Sequence, residues 1–318
     1  MVGVNQGLFE KSMLIFGAGR MGLSHGAMAG LLDPNIKMTF IDLSSPNRIF
    51  VNLLTGREIR CVRSLKRSDV DAATHAIIST PPKIHQVNFD FLTDAGFSGR
   101  LLIEKPVSVS VPRNSSASYV MSGYVLQHSA LWQRLLTASA GLSELSGVHI
   151  ELETNQAFHG NAKGWRSVDD QASISFLNEF GSHCIDLFVS LTGKSELVVK
   201  SVEIDRLEIC AVDNFEFKIS LIGNSNKVRK SVYRVWARDR SKCLFTDFYS
   251  FTEIKKGKTV CSETLASMGA SSSAYLRGQE FAHQMQFFLS DKTDDRHSLD
   301  RRFVVDEALE SLARQLIT

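Results

Sequence analysis

A glycine-rich turn near the N-terminus constrains this chain more than any other feature. Gly17, Gly19 and Gly22 follow the apolar run Ser12–Phe16 and open a stretch with helical spacing. In such a turn the first glycine permits a tight bend, the second lets a phosphate approach the backbone, and the third lets helix and strand pack closely. Free N–H groups at the helix start then attract an anion. The pattern predicts a dinucleotide-binding turn formed by Gly17, Gly19, Arg20, Met21 and Gly22.

A carboxylate follows this turn at the end of the next predicted strand, 37–41. Asp42 stands about 20 residues beyond Gly22, where a carboxylate accepts hydrogen bonds from the adenosine ribose hydroxyls. The same charge repels a 2′-phosphate, so the sequence favours NAD over NADP. Arg48 keeps NADP open as an alternative, because a loop could bring its guanidinium to that phosphate.

The order of apolar segments predicts an α/β chain with two domains. Alternating strands and helices over residues 1–122 indicate a Rossmann dinucleotide-binding domain with a parallel sheet. In residues 123–318, closely spaced strand-like segments indicate an α+β domain with an open, mainly antiparallel sheet. The predicted strands there are 149–157, 198–209, 215–222, 230–237 and 244–254. The predicted helices are 176–191, 275–289 and 303–317.

Composition excludes several classes of protein. With 36 Lys and Arg against 34 Asp and Glu, the net charge of +2 gives no field for nucleic acid or an anionic membrane. No apolar run reaches the ~20 residues needed to span a bilayer, and no secretory leader is recognisable. The 5 cysteines are scattered without metal-ligand spacing, which is typical of reduced thiols. We therefore expect a soluble cytoplasmic protein without a metal.

Several further motifs occur in one order along the chain. After the glycine turn come Ser79-Thr80-Pro81-Pro82 with His85, then Glu104-Lys105-Pro106, then Trp165-Arg166, and then the segment 179–187, which contains Gly181-Ser182-His183. In their order and spacing these motifs resemble the glucose–fructose oxidoreductase, inositol dehydrogenase and rhizopine catabolism family (Gfo/Idh/MocA). The resemblance spans nearly the whole chain.

The resemblance implies hydride transfer between a nicotinamide and a hydroxyl-bearing carbon of a sugar, nucleotide sugar or cyclitol. It implies a catalytic role for Lys105, His183 and Glu179, where Glu179 replaces the usual aspartate. The implied cofactor contacts beyond the turn and Asp42 are Ser79, Thr80, Pro81, His85, Glu104 and Lys105. We expect substrate contacts at Gln127, Trp165, Arg166 and Asp186. The family also implies a homodimer or homotetramer formed through the open sheet of the second domain.

The three catalytic candidates also fit the chemistry by themselves. Oxidising an alcohol needs a group that takes the hydroxyl proton, and histidine, with an ordinary pKa of about 6.5, suits this role. Glu179 is four residues before His183, so on an α-helix both would share one face. A charged Lys105 would stabilise the negative charge that develops on the substrate oxygen.

Two other functions remain open. A non-catalytic NAD-binding sensor could use the same fold, although such a protein has no chemical need for both Lys105 and His183. Reduction of an imine or a linear tetrapyrrole is the other alternative. His85 likewise has two interpretations, as a cofactor contact or as the start of a helix.

Overall fold

The computed structural model describes most of the chain, namely residues 11–44, 59–107, 115–142, 144–156, 176–203, 205–228, 231–264, 267, 276–294 and 299–317. It divides into two compact units. The first unit comprises Met1–Gly123 and Gln284–Asp294, and the second comprises Tyr124–His283 and Asp295–Thr318. The sequence predicts that all of 123–318 forms the second domain, whereas Gln284–Asp294 belong to the first compact unit.

The first unit contains a parallel sheet of 6 strands in the order β3-β2-β1-β4-β5-β6. The strands are β1 Ser12–Phe16, β2 Lys37–Ile41, β3 Arg60–Val62, β4 His75–Ile78, β5 Arg100–Ile103 and β6 Tyr119–Ser122. The helices are α1 Arg20–Leu32, α2 Arg67–Asp71 and α3 His85–Asp94, and Pro82–Ile84 form a short 3₁₀ turn. The strand order reverses between β1 and β4, as in a Rossmann fold, whose ligands bind beyond the carboxyl ends of the strands. The predicted fold of this region is confirmed.

The central strands are buried on both faces, which explains their uninterrupted apolar sequence. In β1, Met13 and Ile15 belong to one apolar cluster, whereas Leu14 and Phe16 belong to another. Successive side chains of a strand point to opposite faces, so the two clusters lie on the two sides of the sheet. Helices must cover both faces of the sheet. In a parallel sheet the connections between strands cross over the faces, and the helices in these connections cover them.

The second unit contains a sheet of 8 strands in the order β14-β13-β12-β11-β7-β10-β9-β8. Neighbours pair antiparallel except β7 and β10, which are parallel. The strands are β7 Gly147–Glu153, β8 Leu197–Val202, β9 Arg206–Ala211, β10 Phe217–Ile222, β11 Val232–Arg238, β12 Lys242–Thr246, β13 Ser250–Lys255 and β14 Lys258–Thr264. The helices are α4 Ala130–Ser139, α5 Ser182–Thr192, α6 Leu276–Phe288 and α7 Leu299–Ile317, and the residues of α6 from Gln284 onward belong to the first unit. An open, mainly antiparallel sheet was predicted and is confirmed.

The structure refines several predicted strands. The segment 198–209 is a pair of strands, β8 and β9, and 244–254 is another pair, β12 and β13. β14 was not predicted, because it is an edge strand with mostly exposed, polar residues. Lys256 and Gly257, with φ of 49° and 74°, form the tight turn before it. No helix in the described ranges is both long and apolar enough to cross a bilayer.

Arg100, at the start of β5, explains why the segment 284–294 belongs to the first unit. Its Nε donates to the carbonyl of Phe288 at 3.0 Å and its Nη2 to that of Lys292 at 2.7 Å. The guanidinium lies 4.6 Å from the ring centroid of Tyr119, whose hydroxyl donates to the carbonyl of Asp294 at 2.7 Å. A cation at the end of α6 stabilises the last carbonyl groups of that helix. These contacts join residues far apart in sequence, so no local pattern predicts them.

Candidate functional site

The three glycines of the first turn have different surroundings. Gly17 has φ +93°, and a Cβ built on it would lie 2.9 Å from the carbonyl oxygen of Ser79. A Cβ on Gly22 would overlap the carbonyl oxygen of Gly17 and approach Ser79 Oγ to 2.8 Å. Around Gly19, in contrast, no atom of the residues that the structure describes lies within 4 Å of the Cβ position. Gly17 and Gly22 are therefore required by the packing of the turn, while Gly19 leaves space for a ligand to reach the backbone.

The start of α1 offers backbone donors to an anion. Gly19 is the residue before the helix; no described side chain caps it, and the first turn of the helix carries no acidic residue. Arg20 is exposed and Met21 is half-buried. The first N–H groups of a helix have no partner within it and attract a phosphate. The turn and the helix start therefore fit the pyrophosphate of a dinucleotide.

Asp42 is bonded directly to the glycine turn. Its Oδ2 accepts from the N–H of Ala18 at 2.7 Å, and its Oδ1 accepts from the N–H of Ser44 at 2.7 Å. A carboxylate offers about four acceptor positions, so it can serve the backbone and a ribose hydroxyl together. The bonds hold the carboxylate at the end of β2, where it was expected. Arg48, the alternative that favoured NADP, lies outside the described residues.

The segment after β4 packs against the same turn. Ser79 Oγ donates to the carbonyl of Phe16 at 2.8 Å, so β4 is tied to the end of β1. Thr80 Oγ1 accepts from Asn88 Nδ2 at 2.9 Å, and Pro81 precedes the short 3₁₀ turn. Ser79, Thr80 and Pro81 thus follow the carboxyl end of β4, beside the glycines. Their contacts with a cofactor remain a prediction.

His85 lies in the interior, at the first position of α3. Its side chain is fully buried, with Nε2 at 2.7 Å from the carbonyl of Thr80 and Nδ1 at 3.2 Å from that of Val107. Burial lowers the pKa of this imidazole, and the carbonyl contacts oppose that shift. The structure shows that α3 begins at His85, and a contact of this residue with a cofactor remains a prediction.

Lys105 lies just beyond β5, at the edge of the sheet where Rossmann ligands bind. It is half-buried, whereas the preceding Glu104 is only 5% exposed. Glu104 Oε1 lies 2.6 Å from Nε2 of His25, which is on α1 and 1% exposed. Sequence reasoning missed His25. The signal for it was its spacing, since it lies three residues after Gly22 on the buried face of α1.

In the second unit, His183 follows an unusual turn of helix. Leu177–Gly181 form a π-helical turn that continues into α5. In a π-turn the hydrogen bonds span five residues instead of four, and such turns are frequent at functional sites. Glu179 lies within this turn, so its position relative to His183 differs from the α-helical one expected from the sequence. A single π-turn is too short to leave an apolar periodicity of its own, so the sequence does not show this difference.

The start of α5 is buried except at His183. Among residues 181–189, His183 alone is partly exposed, and all the others are buried. Its ring meets the rings of Tyr124 and Tyr233 edge-to-face, with centroids 5.7 Å and 5.9 Å apart. Two aromatic neighbours restrict the orientation of the imidazole. His183 is thus a fixed histidine with access to solvent, which is what a general base needs.

Gln127 and Asp186, both expected to bind substrate, are hydrogen-bonded to each other. Gln127 is 3% exposed, and its amide donates to Asp186 Oδ2 at 2.7 Å and to Ser190 Oγ at 2.6 Å. Its carbonyl accepts from Trp132 Nε1 at 2.9 Å. Both amide protons are therefore used within the protein, so Gln127 orients Asp186 and has no proton left to donate to a substrate. Asp186, 6% exposed, stays a predicted substrate contact.

The remaining predictions cannot be placed. Trp165 and Arg166, the other expected substrate contacts, lie outside the described residues. Among the residues that the structure does describe, no group of three or more His, Cys, Asp and Glu side chains could hold a metal ion.

Several solved structures share this fold, and two of the three described below are dehydrogenases. GenD2 from gentamicin A biosynthesis, in complex with NAD, is 16% identical, with a TM-score of 0.72 over 96% of this chain and 94% of its own. Levoglucosan dehydrogenase with NADH and levoglucosan is 15% identical, with a TM-score of 0.73 over 96% and 97%. UDP-N-acetylglucosamine 3-dehydrogenase from Acidithiobacillus ferrooxidans is 14% identical, with a TM-score of 0.71 over 96% and 97%.

This likeness covers nearly the whole of each chain and establishes the fold, which is the one that the family resemblance implied. No protein-family model matches the sequence, and no curated protein matches it either. At such low identity, the shared fold does not itself assign a substrate or a reaction.

Proposed function

We propose that this protein is an NAD-dependent oxidoreductase acting on a hydroxyl-bearing carbon of a sugar, nucleotide sugar or cyclitol. The observation that carries most weight is the bond from the Ala18 N–H to the Asp42 carboxylate, beside the open backbone of Gly19. This hydrogen bond holds Asp42, which would bind the ribose, next to the glycine turn, which would bind the pyrophosphate. GenD2 was solved with NAD and levoglucosan dehydrogenase with NADH, and both share the fold, which supports the choice of cofactor.

In the proposed oxidation of the alcohol, three side chains have separate roles. Bound NAD supplies the acceptor for the hydride. The ammonium group of Lys105 stabilises the substrate oxygen as it gains negative charge, and His183 takes the hydroxyl proton. Glu179, in the π-turn before α5, orients or polarises the imidazole. In the reverse direction the same groups return the proton to a carbonyl oxygen.

A panel of substrates tests the reaction. We expect NADH to accumulate, measured by its absorbance, with at least one sugar, nucleotide sugar or cyclitol, or NADH to be consumed with the corresponding carbonyl compound. Binding of NADH without turnover of any member would favour the sensor. Turnover confined to an imine or a tetrapyrrole would favour the other alternative.

The Asp42 carboxylate should determine the choice of cofactor. In Asp42→Asn the amide oxygen can still accept from the N–H of Ala18, so the bond to the glycine turn is retained, while the charge and the bond from the Ser44 N–H are lost. We expect NADH to bind roughly 10- to 100-fold more weakly, because a hydrogen bond to a charged group contributes about 1.5–3 kcal/mol. NADPH should bind relatively better, because the repulsion of its 2′-phosphate is removed. Titration of both cofactors by fluorescence measures the two dissociation constants. Wild-type protein that prefers NADPH would contradict the assignment.

We also propose that the outer face of the second sheet joins copies of this chain into a homodimer or homotetramer. Along β7, Val148, Ile150 and Leu152 are buried in the core, and the residues between them point to the other face. On that face the ring of Trp236 stacks on His149, with centroids 5.0 Å apart and planes 18° apart. Aromatic side chains of this kind are enriched in protein interfaces.

Ion pairs lie on the same face of the sheet as these two rings, and charged groups of this kind are typical of the polar rim of an interface. Arg234 Nη1 lies 2.6 Å from Glu151 Oε1 and 3.0 Å from Glu153 Oε2. We expect Trp236→Glu to lower the molar mass measured by light scattering to that of a monomer, because it places a charge in the interface core. Val87→Glu is the control, because Val87 is an apolar residue of the first unit that is 64% exposed. Wild-type protein that is monomeric at all concentrations would disprove this interface.

A further inference from the structure

An acid–base pair is buried inside the first unit, away from solvent. His25 is 1% exposed and Glu104 is 5% exposed, and His25 Nε2 lies 2.6 Å from Glu104 Oε1. Burying a carboxylate costs several kcal/mol unless good hydrogen bonds compensate for the lost water, so such groups are rarely buried without a partner. A contact this short keeps the carboxylate in one orientation.

Glu104 is held on two further sides. Its Oε2 accepts from the backbone N–H of Lys105 at 3.2 Å. Gly123 packs against it so closely that a Cβ there would lie 2.9 Å from Glu104 Cδ and 2.8 Å from its Cα. The carboxylate of Glu104 therefore contacts the backbone of Lys105 directly, and it has little freedom to move.

The pair connects two parts of the first unit that are 79 residues apart in sequence. His25 is on α1, the helix whose start fits the pyrophosphate. Glu104 follows β5 and precedes Lys105, the residue expected to act on the substrate oxygen. A displacement of α1 would thus be transmitted through one short hydrogen bond to the backbone of Lys105.

We propose that His25 and Glu104 are positioning residues for Lys105. His25 holds the Glu104 carboxylate, and the carboxylate fixes the backbone of Lys105. The backbone position from which the Lys105 side chain extends, at the edge of the sheet, is thereby defined. Neither side chain touches the substrate. The sequence assigned Glu104 to the cofactor contacts, and its burial against α1 supports this other role. The inference rests on the proposed function, in which Lys105 stabilises the substrate oxygen.

Four variants separate positioning from simple support of the fold. His25→Leu removes the donor and leaves a buried carboxylate, and His25→Gln keeps a donor. Glu104→Met removes the carboxylate at similar volume, and the double variant His25→Leu/Glu104→Met removes both polar groups. Replacing both partners by apolar groups is often nearly neutral for stability, whereas removing one is costly.

Three measurements on the purified full chain are needed besides kcat. Thermal unfolding reports stability, and fluorescence titration gives the dissociation constant of NADH. Reductive methylation with a carbon-13 label gives each lysine an NMR signal while keeping its charge, and the signal that is missing in Lys105→Arg identifies Lys105. The chemical shift of that signal and its pH titration report the surroundings of the ammonium group without any substrate.

We expect the double variant to regain the thermal stability that His25→Leu loses, but not the wild-type Lys105 signal. Its kcat should stay roughly 10- to 100-fold low, because a misplaced catalytic group loses that much, with KM and NADH affinity little changed. His25→Gln should resemble the wild type in every measurement. If His25→Leu does not fold, the double variant and His25→Gln still decide the question.

The proposal fails if the double variant recovers both its stability and the wild-type Lys105 signal, since the pair would then only support the fold. It also fails if His25→Leu folds and leaves that signal unchanged. An absence of turnover in the wild type would refute the proposed function instead, because the NMR signal and the melting curves require no substrate.

Discussion

Replacing Lys105 or His183 by alanine should abolish turnover of the true substrate while NADH continues to bind. Loss of a general base costs about 10²–10⁴-fold, and loss of a group that stabilises an oxyanion costs about 10²–10³-fold. His183 is expected to act because it is the partly exposed residue in an otherwise buried helix start, oriented by two tyrosine rings. The measurements are kcat, KM and the dissociation constant of NADH for each variant.

Lys37→Ala is the matched control for Lys105, because Lys37 is an exposed lysine of the same unit, at the start of β2. It should keep wild-type turnover. Lys105→Arg retains the positive charge and should keep more activity than the alanine variant. Near-wild-type kcat in both Lys105→Ala and His183→Ala would show that the mechanism is wrong. Equal losses of NADH binding and turnover would instead place these residues in the cofactor site.

The free energy of unfolding should fall as the pH decreases from about 6.5 to 4, with His75 as a main cause. Burial lowers the pKa of this imidazole from 6.5 to about 4, and the nearby charges of Arg100 and Lys11 add to that shift. In this pH range the unfolded chain binds a proton at residue 75 and the folded protein does not. Protonation therefore favours unfolding, by about 3 kcal/mol at pH 4, and has no such effect above pH 6.5.

His75→Phe removes the titrating group and can keep the edge-to-face contact with Phe288, whose ring centroid is 5.2 Å away. Chemical unfolding of both proteins at pH 7 and pH 5 measures the effect. The wild type should lose about 2 kcal/mol more than the variant between these values. Subtracting the two curves removes the contribution of the other histidines. Identical pH dependence of the two proteins would show that His75 titrates normally in the folded state.

Features that depend on neighbours in sequence could be predicted from the sequence. The glycine turn, the carboxylate of Asp42 and the apolar strands around them occur within one short stretch, and the structure places them together. The change from alternating helices and strands to closely spaced strands was also visible, because it depends on local apolar periodicity. These local patterns were enough to predict both halves of the fold.

Features that depend on distant partners could not be predicted. The sequence does not show that Glu104 faces His25, or that Gln127 uses both of its amide protons on residues of α5. Both were assigned to ligand contacts on the family resemblance, and those contacts remain predictions. An interior polar group must find its partners within the protein, and a sequence does not show which groups are interior. The partners of these two side chains depend on the packing of distant segments.

Because Gln284–Asp294 belong to the first unit but lie late in the sequence, they affect the order in which the chain folds during synthesis. Met285 and Phe288 fill the core beside β1 and β4, and both are fully buried. A ribosome releases these residues only after the whole of the sheet of the second unit has emerged. Until then the core beside β1 and β4 lacks these two side chains, so apolar surface of the nascent first unit stays exposed. A fragment that ends at residue 123 would keep this surface exposed and should aggregate.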